Sequence, residues 1–246
     1  MDRMIYVAMT GAKHILEQQA VVSHNLANVS TNGYRAAASA FRAVPVQGEG
    51  LSTRTFVLAS TPGANFTPGP MQGTGRDLDV AVQGQGWIAV QTGNGGEAYT
   101  RNGSLQISPN GMLQTNSGLN VLGSGGPITI PPGSAISIAR DGTVSALAGT
   151  SSNSVTAVGQ IKLVNPDEKL LTRGDDGLFH LPNNVRAEID PKVTLVSGSL
   201  EGSNVNAVEA MVSMITLARQ FDLSMQLLSN AQKNATQASQ ILSVRS

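Results

Sequence analysis

The residues best spaced for chemistry are two pairs of carboxylates, Asp77 with Asp79 and Asp175 with Asp176. If residues 77–82 run as a strand, Asp77 and Asp79 share one face. That is the minimum arrangement for a glycosidase-type pair or a divalent-cation site. Nothing nearby supplies an oriented general acid, and Arg76 beside them makes a polar strand edge the simpler reading. The histidines are His14, His24 and His180. A helix carrying both His14 and His24 would hold them about 15 Å apart along its axis, too far to share a metal. Cysteine is absent, which removes disulfides, thiolate zinc sites and cysteine nucleophiles together. Gly84-Gln85-Gly86 lacks the rest of a dinucleotide fingerprint, and Arg173-Gly174-Asp175 reads as a loop. No nucleophile elbow, phosphate loop or kinase signature occurs. The residues predict no enzyme, no metal and no cofactor.

What these residues are mounted on is more informative. The chain has 246 residues, with 16 Lys and Arg against 16 Asp and Glu, so the formal net charge is zero. A neutral chain has no basic footprint for nucleic acid and no polybasic anchor for a membrane surface. Charged residues are 13% of the total, where about 25% is usual. A surface so poorly charged suits a chain covered by neighbours. No apolar run is long enough to span a bilayer, so no membrane insertion is expected. The N-terminus has no basic segment followed by an unbroken apolar core, so no cleaved signal is expected either.

Both ends read as helix. Over residues 2–28, Ile5, Ala8, Ala12, Ile15 (or Leu16), Val22 and Leu26 recur at helical spacing. Ser30-Thr31-Asn32-Gly33 is turn chemistry that stops the helix, with Gly33 suited to a left-handed cap. Over residues 205–242, Val208, Met211, Ile215, Ala218, Phe221, Met225, Leu228, Ala231, Ala235, Ala238 and Leu242 follow steps of three and four, close to a coiled-coil seam. Ser203 or Asn204 is the expected N-cap, and Glu209 sits in the first turns. The remaining face carries only Glu209, Arg219, Asp222 and Lys233 as charges; the rest is Gln, Ser, Asn and Thr. Uncharged polar faces suit a helix packed on several sides, because a buried charge costs several kcal/mol, on the order of 3–5. The two stripes are therefore predicted to be subunit interfaces, left unmated in a single chain.

The centre, residues 77–200, reads as β. Asn102-Gly103, Asn110-Gly111, Asp141-Gly142 and Asp176-Gly177 each precede an alternating stretch, and such dipeptides favour tight antiparallel hairpins. Residues 34–76 carry Pro45, Pro62, Pro68 and Pro70 and show no sustained period, which reads as an extended arm ordering on other chains. The expected fold class is α+β: a first helix (1–33), an extended arm (34–76), a central antiparallel all-β domain (77–200) and a last helix (201–246), the two helices forming a coiled-coil-like tube layer.

Three ordered stretches carry a family resemblance. His24-Asn25-Leu26-Ala27-Asn28-Val29-Ser30-Thr31-Asn32-Gly33-Tyr34 resembles the N-terminal signature of the bacterial flagellar axial proteins of rod, hook and hook–filament junction. Ser203-Asn204-Val205-Asn206, followed by Glu209 and Met211, resembles their C-terminal signature. Arg76 to Trp87, with Tyr99-Thr100-Arg101-Asn102-Gly103, resembles their β domain. The opening Met1 to Tyr6 and Arg42-Ala43-Val44-Pro45-Val46 lean towards proximal-rod members, with distal-rod members the nearest rivals. The resemblance implies a structural subunit of the basal-body rod, a periplasm-spanning drive shaft. Its terminal helices would form the inner tube and its partners would be other rod subunits. Export would run through the flagellar type III apparatus. The alternatives outside the family are a secreted β-rich adhesin or phage-tail protein, or a wall hydrolase resting on Asp77 and Asp79.

Overall fold

The computed structural model describes residues 2–45, 55–59, 63–148 and 155–243. It is α+β and divides into two compact units. The first comprises Met1–Val29, Ala37–Gly63 and Val205–Ser246; the second comprises Ser30–Ala36 and Ala64–Asn204.

The first unit is built on two helices, α1 (Asp2–Ala27) and α2 (Ala207–Ser243), which pack on each other along much of their length. Asn206 caps α2: its Oδ1 accepts from the Val208 and Glu209 backbone N–H at 3.0 and 3.3 Å. The cap expected at Ser203 or Asn204 is thus displaced, because the Asn204 side chain is engaged elsewhere. Asn28 donates from Nδ2 to the His24 carbonyl at 2.9 Å, closing the end of α1. Asn25 makes a two-way bond with the Ala37 backbone, donating at 2.9 Å and accepting at 2.8 Å.

Residues 34–76 are divided between the units. Phe41–Pro45 and Thr55–Ala59 pair antiparallel in the first unit, from Phe41 opposite Ala59 to Pro45 opposite Thr55. Farther on, Met71–Gly73 pairs with Ser199–Glu201 in the second. The extended arm expected over 34–76 contains these short paired strands. Each strand is at most five residues long, too short to show a period. Val46 lies outside the described residues.

The second unit is a set of small antiparallel sheets. The largest has five strands in the order Leu163–Val164, Trp87–Gln91, Glu97–Thr100, Phe179–His180 and Thr172–Arg173. A three-stranded sheet runs Ser134–Ile138, Thr143–Ala148, Val155–Gln160. Val80–Gln83 pairs with Thr194–Ser197. One apolar core joins Val80, Ile88, Leu105, Leu113, Val144 and Ile161; a second gathers Trp87, Tyr99, Val164 and Phe179, with the Trp87 and Phe179 rings 4.7 Å apart. Three of the four Asn-Gly or Asp-Gly pairs turn hairpins, with Gly111, Gly142 and Gly177 at φ of 77°, 84° and 77°. Asn102-Gly103 does not: Gly103 runs against the Val80 carbonyl, where a Cβ would collide. Glycine serves close backbone approach at that position rather than a left-handed turn.

Candidate assembly surfaces and a buried arginine clamp

In the second unit the segment after α1 is fastened from both sides. Gly33, at φ +69°, donates its N–H to the Glu201 carbonyl at 2.7 Å. A Cβ there would run into the Arg101 backbone. Tyr34 is buried, and the Arg173 guanidinium sits 4.4 Å from its ring centroid. Arg35 is fully buried and meets Glu201 Oε1 at 2.7 Å, while Arg101 meets Glu201 Oε2 at 3.0 Å. The Glu201 Oε1 also accepts from the Gly69 N–H at 2.9 Å. Arg101 continues to the carbonyls of Val82 and Gly84 at 3.3 and 2.6 Å. Burial pushes the Arg101 guanidinium below its ordinary value, and the Glu201 carboxylate works against that shift. Asn204 completes the join. Its Oδ1 accepts from the Ala36 N–H at 2.7 Å, and its Nδ2 donates to the carbonyls of Asn65 and Thr67 at 2.8 and 2.9 Å.

The two terminal motifs therefore meet: Gly33, Tyr34 and Arg35 lie against Glu201 and Asn204. Ser203 is buried. Arg35 and Glu201 carry no local signal in the sequence, because charges distant in the chain have no period; Arg101 stands in the Tyr99–Gly103 stretch, but nothing in that stretch shows its partner.

On the helices the apolar residues fall on two faces. In α1, Ala12 is buried and Ala8, Ile15, Val22 and Leu26 are half-buried, whereas Met9 and Leu16 are about half exposed. The expected stripe thus faces inward within the chain, and Met9 with Leu16, about 40–60° round the helix from Ala12, forms its exposed flank. In α2, Leu217 is buried, and Ala210, Met214, Ala218, Phe221, Leu228, Ala231 and Ala235 are half-buried. Val208, Met211, Val212, Ile215, Leu223 and Leu227 are each more than 50% exposed, and Met225 is 45% exposed. At roughly 100° per residue Val208, Met211, Val212, Ile215 and Leu223 lie about 120–180° round the helix from Leu217, with Leu227 and Met225 about 80° to either side. The single seam read from sequence is two faces. Ala218, Phe221 and Leu228 belong to the inner one, while Val208, Met211, Ile215 and Met225 are on the exposed side. The side chains of Ile5, Ala238 and Leu242 lie outside the described residues. Ala27 and Glu209 are exposed, and Val205 is half-buried. Between α1 and α2 a groove of about 440 Å³ is walled by Val21, Val22, Val212, Thr216 and Leu217.

The carboxylates expected to share a strand face do not. Residues 76–79 form a turn closed by the Asp79 N–H on the Arg76 carbonyl at 3.0 Å. Asp79 is buried beside Arg76 at 3.4 Å, and Asp77 is exposed. Asp176 instead faces His180 at 3.0 Å. A cleft of about 620 Å³ in the second unit opens beside Glu97, which pairs with Lys162 at 2.8 Å and accepts from the Tyr99 hydroxyl at 3.0 Å. The Ala187 N–H donates to that hydroxyl at 2.8 Å, and burial pushes the Tyr99 phenol up to about 12. Among the described residues no group of three or more His, Asp or Glu side chains could hold a metal, and no helix is long and apolar enough to cross a membrane.

Comparison with known proteins agrees with this layout. Residues 5–35 match the family "Flagella basal body rod protein", residues 81–146 the "Flagellar hook protein FlgE/F/G D1 domain", and residues 196–241 the "Flagellar basal body rod FlgEFG protein C-terminal". The chain is 52% identical to flagellar basal-body rod protein FlgF of Escherichia coli K12, covering 99% of this chain and 100% of that one. The chain belongs to the flagellar basal-body rod protein family. It is 51% identical to FlgF of Salmonella typhimurium over the same shares, and 31% identical to FlgG of Agrobacterium fabrum over 95% of this chain and 97% of that one. As a family member it is a structural subunit of the basal-body rod. The N-terminal match ends at Arg35 and the C-terminal match includes Glu201 and Asn204, so the family signatures reach into the clamp.

Proposed function

We propose that the chain is a proximal-rod subunit that polymerises through the apolar helix faces left uncovered in the single chain. The outer face of α2 (Val208, Met211 and Ile215) and the exposed flank of α1 (Met9 and Leu16) would mate with other rod subunits, forming the coiled-coil-like inner tube. The inner-face residues Ala8, Ala12, Ile15, Val22, Leu26, Ala218, Phe221 and Leu228 would hold α1 on α2. Ile5 and Leu242 would extend the helical contacts. Head-to-tail contacts of this kind give a helical polymer rather than a closed dimer. Delivery would use the flagellar type III export apparatus, and the finished rod would lie in the basal body.

The observation that carries this reading is the α2 face itself. Five large apolar side chains (Val208, Met211, Val212, Ile215 and Leu223) are more than half exposed on a helix whose opposite side is already packed. Burying apolar area is worth roughly 25 cal/mol per Å². A solvated helix of 37 residues would ordinarily carry charge pairs in place of such a face. Replacing Ile215 by Asp tests it. The expected result is loss of rod formation and motility with an unchanged β unit, read by electron microscopy of basal bodies and by proteolysis of the free chain. Normal rods carrying Ile215→Asp would refute the reading.

A further inference from the structure

We propose that the buried arginine clamp of the second unit encloses one small monovalent anion of halide size against the Arg35 guanidinium. Charge is the first reason. Arg35 is 0% exposed, Arg101 4% and Glu201 1%, so two cations share the clamp with a single carboxylate. A guanidinium cannot shed its proton to escape burial, so one positive charge is left over. The other buried carboxylate, Asp79, is paired with Arg76 at 3.4 Å. Glu168 is half-buried and acts on Arg101 more weakly than Glu201 does. A third guanidinium, Arg173, stacks on the neighbouring Tyr34 ring and brings no negative charge.

Hydrogen bonding is the second reason. The Arg35 Nη2 lies 2.7 Å from Glu201 Oε1, an oxygen that also accepts from the Gly69 N–H. The Arg35 Nε and Nη1 are closed off from solvent and meet no acceptor among the described residues. Arg101 directs Nη1 and Nη2 to Glu201 and to the Val82 and Gly84 carbonyls, and its Nε is buried without an acceptor as well. Unbonded buried donors on charged groups are rare in folded chains because their lost hydration is not replaced. The size of the ligand follows from closure. With both guanidinium groups shut away, the clamp leaves no opening for a side chain of another subunit or for an organic phosphate. A halide can be enclosed as the unit folds. It accepts N–H bonds and supplies the missing charge, which a water molecule would not.

Urea unfolding of the full chain, followed by Trp87, tests this. Trp87 is the one tryptophan, and its ring centroid lies 5.4 Å from the Arg101 guanidinium carbon. Sodium chloride is raised from about 1 to about 300 mM while sodium gluconate holds the ionic strength constant, because an ion bound by the folded state alone shifts the equilibrium by mass action. The expected result is a folding constant that climbs towards roughly tenfold for each tenfold rise in chloride. Bromide should act like chloride, and gluconate, too large to be enclosed, should not. Arg35→Met removes the surplus charge and should flatten the response, whereas Arg140→Met, at an exposed arginine, should keep it. Crystals of the full chain grown in bromide give a reading that needs no variant, with anomalous density expected against the Arg35 guanidinium. Equal stability of the wild type in chloride and gluconate overturns the proposal. So does an Arg35→Met variant that keeps the chloride response, or a water molecule found on Arg35 where bromide is expected.

Discussion

Arg35 and Glu201 face each other at 2.7 Å with both side chains closed off from solvent. The same carboxylate also holds Arg101 at 3.0 Å. Removing the carboxylate strands two guanidinium groups in the interior. Breaking a buried pair from one side typically costs about 3–5 kcal/mol. Glu201→Ala should therefore lower the unfolding free energy of the β unit by that order, measured by urea titration of the tryptophan signal. Arg35→Met in the same background should cost much less than it does alone, because its partner is already gone. Additive losses would mean the two groups act independently.

Gly33 offers a conformational test of the same join. Its φ is +69° and an added Cβ would meet the Arg101 backbone. Gly33→Ala should destabilise the β unit by more than the ~1 kcal/mol of a simple left-handed penalty, since sterics add to strain. Read from sequence alone as the stop of the first helix, Gly33 replaced by Val should harm assembly more than β-unit folding. The fold reassigns the residue to the β unit, so a lowered melting temperature is expected in the unassembled chain.

Asn206 and Ser203 separate two accounts of how α2 begins. Asn206 accepts from two first-turn N–H groups. Asn206→Ala should cost about 1 kcal/mol and fray the first turn of α2, visible as faster exchange at Val208 and Glu209. A Ser203→Ala change should leave those two amides unaffected. The reverse pattern would restore the cap expected from sequence.

Tyr99 supplies a pH signature. Its phenol is pushed up to about 12 by burial, whereas an unfolded tyrosine ionises near about 10. The folded state therefore holds this proton more tightly. The stability it contributes is complete below about pH 10 and falls as the pH rises towards 12. Tyr99→Phe should flatten the stability profile over that alkaline window. It should also lose about 1 kcal/mol at neutral pH, because the Ala187 N–H is left without its acceptor. An unchanged alkaline slope in Tyr99→Phe would contradict the assignment.

How much of this was legible in the sequence depends on range. The ends of α1 and α2 follow from apolar spacing and from Asn and Gly turn chemistry, which act over a few residues. The hairpins at Gly111, Gly142 and Gly177 follow from the dipeptides before their strands. Asn102-Gly103 has the same letters but answers to the Val80 backbone packed against it, which only the tertiary fold reveals. The joining of Glu201 to Arg35 and Arg101 is hidden in the sequence for the same reason. The spacing picks out the apolar positions of α2, but period alone assigns them to one seam. Only the packing of α1 separates Leu217 and Phe221, turned inward, from Val208, Met211 and Ile215, turned out.

The most direct measurement uses the absence of cysteine from the chain. A single Ile215→Cys reports on the exposed face of α2 with no background, and Leu217→Cys reports on the inner face. Maleimide labelling of Ile215→Cys should be fast in the free chain and strongly suppressed in isolated rods, with Leu217→Cys slow in both. Equal labelling of Ile215→Cys before and after assembly would contradict the claim that this face is where one rod subunit meets the next.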